Sequence, residues 1–122
     1  MPIIVVLALF LAIGGRAATS SAGVYSVDNL VADCRADNQL SIGRCKGFVE
    51  GVLNLSYILG EAGVIHRICL PETFTIEQAI ELFLGWVEKN PNNQHLPAVA
   101  GVQAPLRAAF SCKVQPQVPP KW

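Results

Sequence analysis

The chain has 122 residues and carries nine Lys or Arg against nine Asp or Glu, so its formal charge is zero. The charges are interspersed, which excludes the basic footprint of a nucleic-acid binder. The length suits one small domain and not two.

The N-terminus opens with an apolar run, Ile3 to Ile13, followed by the small residues Ala17 to Ala22. The run is short for a bilayer span and fits the h-region of a signal peptide. Ser20-x-Ala22 places cleavage after Ala22, with cleavage after Ala17 as the alternative. No Lys or Arg precedes the run, so the usual positive n-region is absent. Removing residues 1–22 also removes Arg16 and leaves the mature chain with one net negative charge. Export through this signal implies an oxidising compartment outside the cytoplasm.

Ser26 reads as a helix N-cap, with Asp28 in the first turn. Val27, Leu30, Val31 and Cys34 follow at helical spacing and predict a first helix of about two turns. Arg35 to Leu40 reads as a polar connection. A second helix is expected from Ser41 to about Leu59, with Ile42, Cys45, Val49, Val52, Leu53, Ser56 and Leu59 on one broad face. At about 100° per residue, Gly43, Gly47 and Gly51 form a stripe on the other side, near Asn54 and Ile58. Each interior glycine costs about 1 kcal/mol of helix propensity relative to alanine. The expectation is that another helix of the domain packs closely on this stripe. The alternative is a contact with another chain, such as a homodimer seam.

Gly60 to Phe74 reads as a long connection, with Gly60, Gly63 and Pro71 as breakers. Thr75 and Gln78 then form a capping-box pattern. Ile76, Ala79, Ile80, Phe83, Leu84 and Val87 mark an apolar stripe, opposed by a polar face of Glu77, Gln78, Glu81 and Glu88. This third helix ends near Lys89. Asn90 to Pro97 is a polar turn. A fourth helix is expected from Ala98 to Phe110, kinked by Pro105, which deletes a hydrogen bond to the Gly101 carbonyl. The last residues, 113–122, contain three prolines and no apolar periodicity, and read as an extended or disordered tail.

Four helices and no strand signal give an all-α fold class: a small helical domain over residues 23–112. Cys34, Cys45, Cys69 and Cys112 are an even set behind an export signal, which points to two disulfides that staple the domain. Four cysteines allow three pairings. If the third and fourth helices form an antiparallel hairpin, Cys69 and Cys112 meet at its open end. That geometry favours Cys69–Cys112 together with Cys34–Cys45.

Nothing in the sequence composes an active site. No Cys-x-x-Cys pair is present, disulfide pairing would remove every thiolate, and no Gly-x-Ser-x-Gly elbow occurs. His66 and His95 lie in different connections and lack the spacing of a zinc helix, so both read as solvated side chains. Glu50 and Glu61 read as solvated carboxylates. The chain is therefore expected to be no enzyme and to need no cofactor or metal.

The motifs Cys45-x-Gly-Phe-Val-x-Gly51, Cys69-x-Pro71, Thr75-x-x-Gln78, the Asn90-Pro91 to Pro97-Ala98 turn and Ala109-Phe-x-Cys112 resemble those of the Rap1a/Tai family of secreted, all-helical immunity proteins. The likeness covers residues 30–112. It departs from the family pattern at Pro105 and at Ser111, where proline often precedes the last cysteine. The resemblance implies a periplasmic protein that binds and neutralises a peptidoglycan-cleaving amidase delivered by type VI secretion, with no catalysis of its own. The alternative is a small stress or chaperone-like protein that holds unfolded clients. Function concentrates in loops on rigid scaffolds. Asn90, Asn92, Asn93, Gln94 and His95, with Leu96 as an apolar anchor, are thus the candidate partner-binding residues.

Overall fold

A computed structural model describes residues 23–112. The expected signal peptide (1–22) and tail (113–122) lie outside the described residues. The described part contains four helices: α1 (Val27–Arg35), α2 (Gln39–Glu61), α3 (Ile76–Lys89) and α4 (Ala98–Phe110), with a single 3₁₀ turn at Pro91–Asn93. Among the described residues no strand forms. Two isolated bridges, Ser26 to Pro97 and Ile68 to Ser111, stitch the connections to one another. No described helix is long and apolar enough to cross a membrane.

Each helix begins and ends for a local reason. Ser26 caps α1 and Thr75 caps α3, each in a reciprocal capping box, with Asn29 and Gln78 respectively. α2 starts at Gln39, earlier than Ser41, because the Asn38 side chain accepts the Ser41 amide at 2.9 Å and serves as the N-cap. Ser41 is buried in the first turn instead. α2 closes on Gly63, whose φ of 73° lies in the left-handed region. There Val64 donates to the Leu59 carbonyl at 2.9 Å and Gly63 to that of Gly60 at 3.1 Å, the paired bonds of a Schellman ending. α4 runs unbroken through Pro105.

All four helices contribute to one core. α1 supplies Val27 and Leu30, α2 Cys45, Val49 and Val52, α3 Ala79, Phe83 and Val87, and α4 Ala98, Val102 and Leu106. These sets follow the expected three-and-four spacing, so each helix turns one stripe inward. Phe83 is the largest fully buried side chain. Gly101 lies where α1, α3 and α4 meet. A Cβ there would sit 2.8 Å from Val27 Cγ2 and 3.1 Å from Phe83 Cε2, so the helices can close this tightly only over glycine.

Two covalent staples fix the ends. Cys34 pairs with Cys45 across a Cα separation of 5.0 Å, joining α1 to the start of α2. Cys69 pairs with Cys112 across 5.2 Å and closes the open end of the α3/α4 hairpin. There the Cys69 amide also donates to the Phe110 carbonyl at 2.8 Å.

Candidate functional site

The polar turn after α3 is built into the fold through its backbone. The first amides of any helix lack intrahelical partners. In α1 the Val27 amide donates to the Leu96 carbonyl at 2.8 Å, and the Asp28 amide to the Gln94 carbonyl at 3.0 Å. The Asn29 amide donates to the Ser26 hydroxyl oxygen at 3.2 Å. In return the Ala98 amide donates to the Tyr25 carbonyl at 2.9 Å. The turn and the start of α1 therefore hold each other in place.

The six candidate residues divide by role. Asn90 is half-buried, and its side-chain amide donates to the Trp86 carbonyl at 2.8 Å, sealing the end of α3. Asn93 is half-buried, and its carbonyl accepts the Leu96 amide at 3.2 Å. Leu96 is half-buried and packs against the core. Asn92, Gln94 and His95 are exposed, and their side chains form no hydrogen bond within the described residues. The surface a partner could meet is thus narrower than the composition of the turn suggests. Two exposed apolar side chains, Val24 and Val99, adjoin the Tyr25–Ala98 hydrogen bond.

Beneath this region lies a buried carboxylate that the sequence reading did not single out. Asp33 is only 6% exposed. It accepts the Tyr25 hydroxyl and, at 2.8 Å, the Arg44 guanidinium. The Tyr25 hydrogen bond, helped by Arg44, holds the Asp33 carboxyl below the usual carboxylate range. Burial, together with the Asp33 carboxylate, pushes the Tyr25 phenol up to about 12. The cluster ties the segment before α1, the last turn of α1 and the first turns of α2 into one unit. The visible signal is position: Asp33 lies three residues after Leu30, on the inward side of a short helix.

The glycine stripe of α2 corrects its expectation. Gly43, Gly47 and Gly51 are exposed, and a Cβ at any of them would meet nothing within 4 Å. None of the described helices packs there. The core of this small domain is already filled from the opposite side of α2. Leu40, at 72% exposure, and Ile58, at 45%, continue the same bare face.

Other candidates are placed as follows. His66 and His95 are both exposed, and no group of His, Cys, Asp and Glu among the described residues could hold a metal. Glu50 is exposed on α2, whereas Glu61 pairs with Arg67 at 2.5 Å across the loop rather than standing free in solvent. Ser56 is 3% exposed and accepts the Gln103 side-chain amide at 2.9 Å, a polar link from α2 to α4.

A groove of about 760 Å³ lies between α3, α4 and the loop before α3. Phe74, Leu82, Trp86 and Phe110 give it an apolar, aromatic lining, with Glu81 and Lys89 at its rim. Gly85 leaves space in its floor. Phe74 and Phe110 meet edge to face, with ring centroids 5.0 Å apart, at the end nearest the Cys69–Cys112 disulfide. Leu82 and Trp86 stand outside the inward stripe of α3, and that second apolar face was the available signal for the groove.

The match to known proteins covers this architecture from the first cap to the last cysteine. A family model described as Rap1a immunity proteins aligns with residues 26–112. No curated protein and no solved structure gave a significant match. Extending over all four helices and both disulfides, the alignment shows that the chain belongs to the Rap1a immunity protein family.

Proposed function

We propose that this protein is exported to the periplasm through residues 1–22 and there neutralises a secreted peptidoglycan amidase by binding over its active site. It contributes no chemistry of its own. The observation that supports this reading most is membership of an immunity family over the whole helical domain. The turn supplies the polar part of the interface. Its exposed Asn92, Gln94 and His95 are carried on a backbone fixed by hydrogen bonds to α1. Side chains held this way can satisfy donors and acceptors in an enzyme cleft with little loss of entropy. Leu96 packs inward, so the apolar anchors fall to Val24 and Val99 beside it.

The test is titration against the product of a neighbouring gene that encodes a secreted amidase, together with rescue of cells exporting that product. The wild type should bind and protect. Replacing Asn92, Asn93 and Gln94 together with alanine should weaken binding by about 2 kcal/mol or more if the turn is a hot spot. The melting temperature should hold, because the fold uses these residues through their main chain. Unchanged affinity would move the interface off the turn. A wild type that binds no amidase but retains many unfolded clients would reject this reading in favour of the chaperone-like alternative.

A further inference from the structure

We infer that the aromatic groove between α3 and α4 is a docking site for the chain's own C-terminal segment, residues 113–122. An apolar groove of this size is a default binding site for something. Two observations select the occupant. The first is where the described fold ends. Phe110 lines the groove, and the chain leaves it at Cys112, which is tied through Cys69 to the loop that carries Pro71, another lining residue. The described chain therefore ends at the groove's lip, and the next residues begin there. The lining positions on α3 extend from Gln78 to Lys89, a helical span of about 16 Å. Ten residues in polyproline II reach about 31 Å, enough to turn back and run the whole length.

The second observation is the chemistry of the segment, Lys113-Val-Gln-Pro-Gln-Val-Pro-Pro-Lys-Trp122. Polyproline II has three residues per turn. Pro116, Pro119 and Trp122 then share one ridge. Aromatic-lined grooves take proline-rich ridges of this kind, because the rings stack on flat apolar faces and the chain is stiff before it binds. Phe110 and Phe74 stand at the start of the path and Trp86 near its far end.

Nuclear Overhauser contacts in the full chain, as purified from cells, test this directly. Contacts from the Trp122 indole and the Pro119 ring to the side chains of Leu82, Trp86 or Phe110 are expected, with intensities independent of protein concentration. Ala109→Glu places a charge on an exposed wall of the groove and should abolish them without shifting the melting temperature. Pro116→Asp with Pro119→Asp, outside the four-helix fold altogether, should abolish them too. A wild-type Trp122 with the relaxation of a free ten-residue peptide and no contacts to the groove overturns the inference. So do contacts seen only between labelled and unlabelled chains, which would make a second copy the occupant.

Discussion

Two of the places where glycine occurs in a helix of this protein use it for opposite reasons. Gly101 sits where three helices meet, and the nearest side-chain atoms leave no room for even a methyl group. Gly43, Gly47 and Gly51 lie on the outer face of α2, with open space above each of them. The regular spacing of the stripe has the form of a packing motif, whereas the single glycine in α4 has no such pattern around it. Periodicity of small residues reports that a face is smooth. Only the neighbours decide whether anything rests on it.

The contrast can be broken or sharpened by substitution, starting at the junction. Phe83→Ala should cost about 3–5 kcal/mol by urea unfolding, since a fully buried aromatic leaves a cavity that the stapled helices cannot collapse into. A loss near 1 kcal/mol would mean that the junction is loosely packed. Gly101→Ala should cost about 1–3 kcal/mol through overpacking. In a Val27→Ala background the same change should cost less, because the atom that a Cβ would meet at 2.8 Å is gone. Additive losses would show that Val27 is not what excludes the side chain.

The other anchorage of α1 is ionic and should show itself in pH rather than volume. The folded state depresses the Asp33 pKa, so the stability it contributes is present above the unfolded carboxylate value, about 3.9, and is lost as pH falls through the folded one. Tyr25 acts in the reverse sense. Its raised pKa contributes stability below the ordinary tyrosine value, which is lost as pH rises towards about 12. Unfolding midpoints of Asp33→Asn should therefore fall less steeply than wild type below about pH 4. Equal slopes would show that other carboxylates govern the acid limb. The smallest effect is expected on the bare stripe. Gly47→Ala should stabilise by about 0.5–1 kcal/mol at every protein concentration, as on any exposed helix face. Destabilisation, or a change of mass by light scattering, would show that the stripe is covered in solution after all.

Much of the fold was legible in the sequence because its signals are local. The capping residues Ser26 and Thr75, the apolar stripe from Ile76 to Val87 and the bounds Ala98 and Phe110 each depend on neighbours a few positions away. The start of α2 was misplaced because Asn38 and Ser41 are both good caps, and only the chain path chooses between them. The cysteine pairing was legible through the hairpin, one step beyond local structure. The site was harder to read. The polar composition of the turn does not say that Asn90 is spent on the Trp86 carbonyl, or that Leu96 faces inward. The Tyr25–Asp33–Arg44 cluster joins residues up to nineteen positions apart, and the groove needs two helices side by side before it exists.

The way the turn caps α1 has a consequence for how recognition can change. Helix α1 draws on the carbonyls of Gln94 and Leu96, atoms that every amino acid carries. The side chains of Asn92, Gln94 and His95 project from the same segment and take no part in that support. Under the proposed function, fold and specificity are written in different chemical groups of one segment. The identity of these three residues can be exchanged to suit a different partner while the main chain keeps its hold on the helix. A binding surface can be retuned there without unfolding its own scaffold.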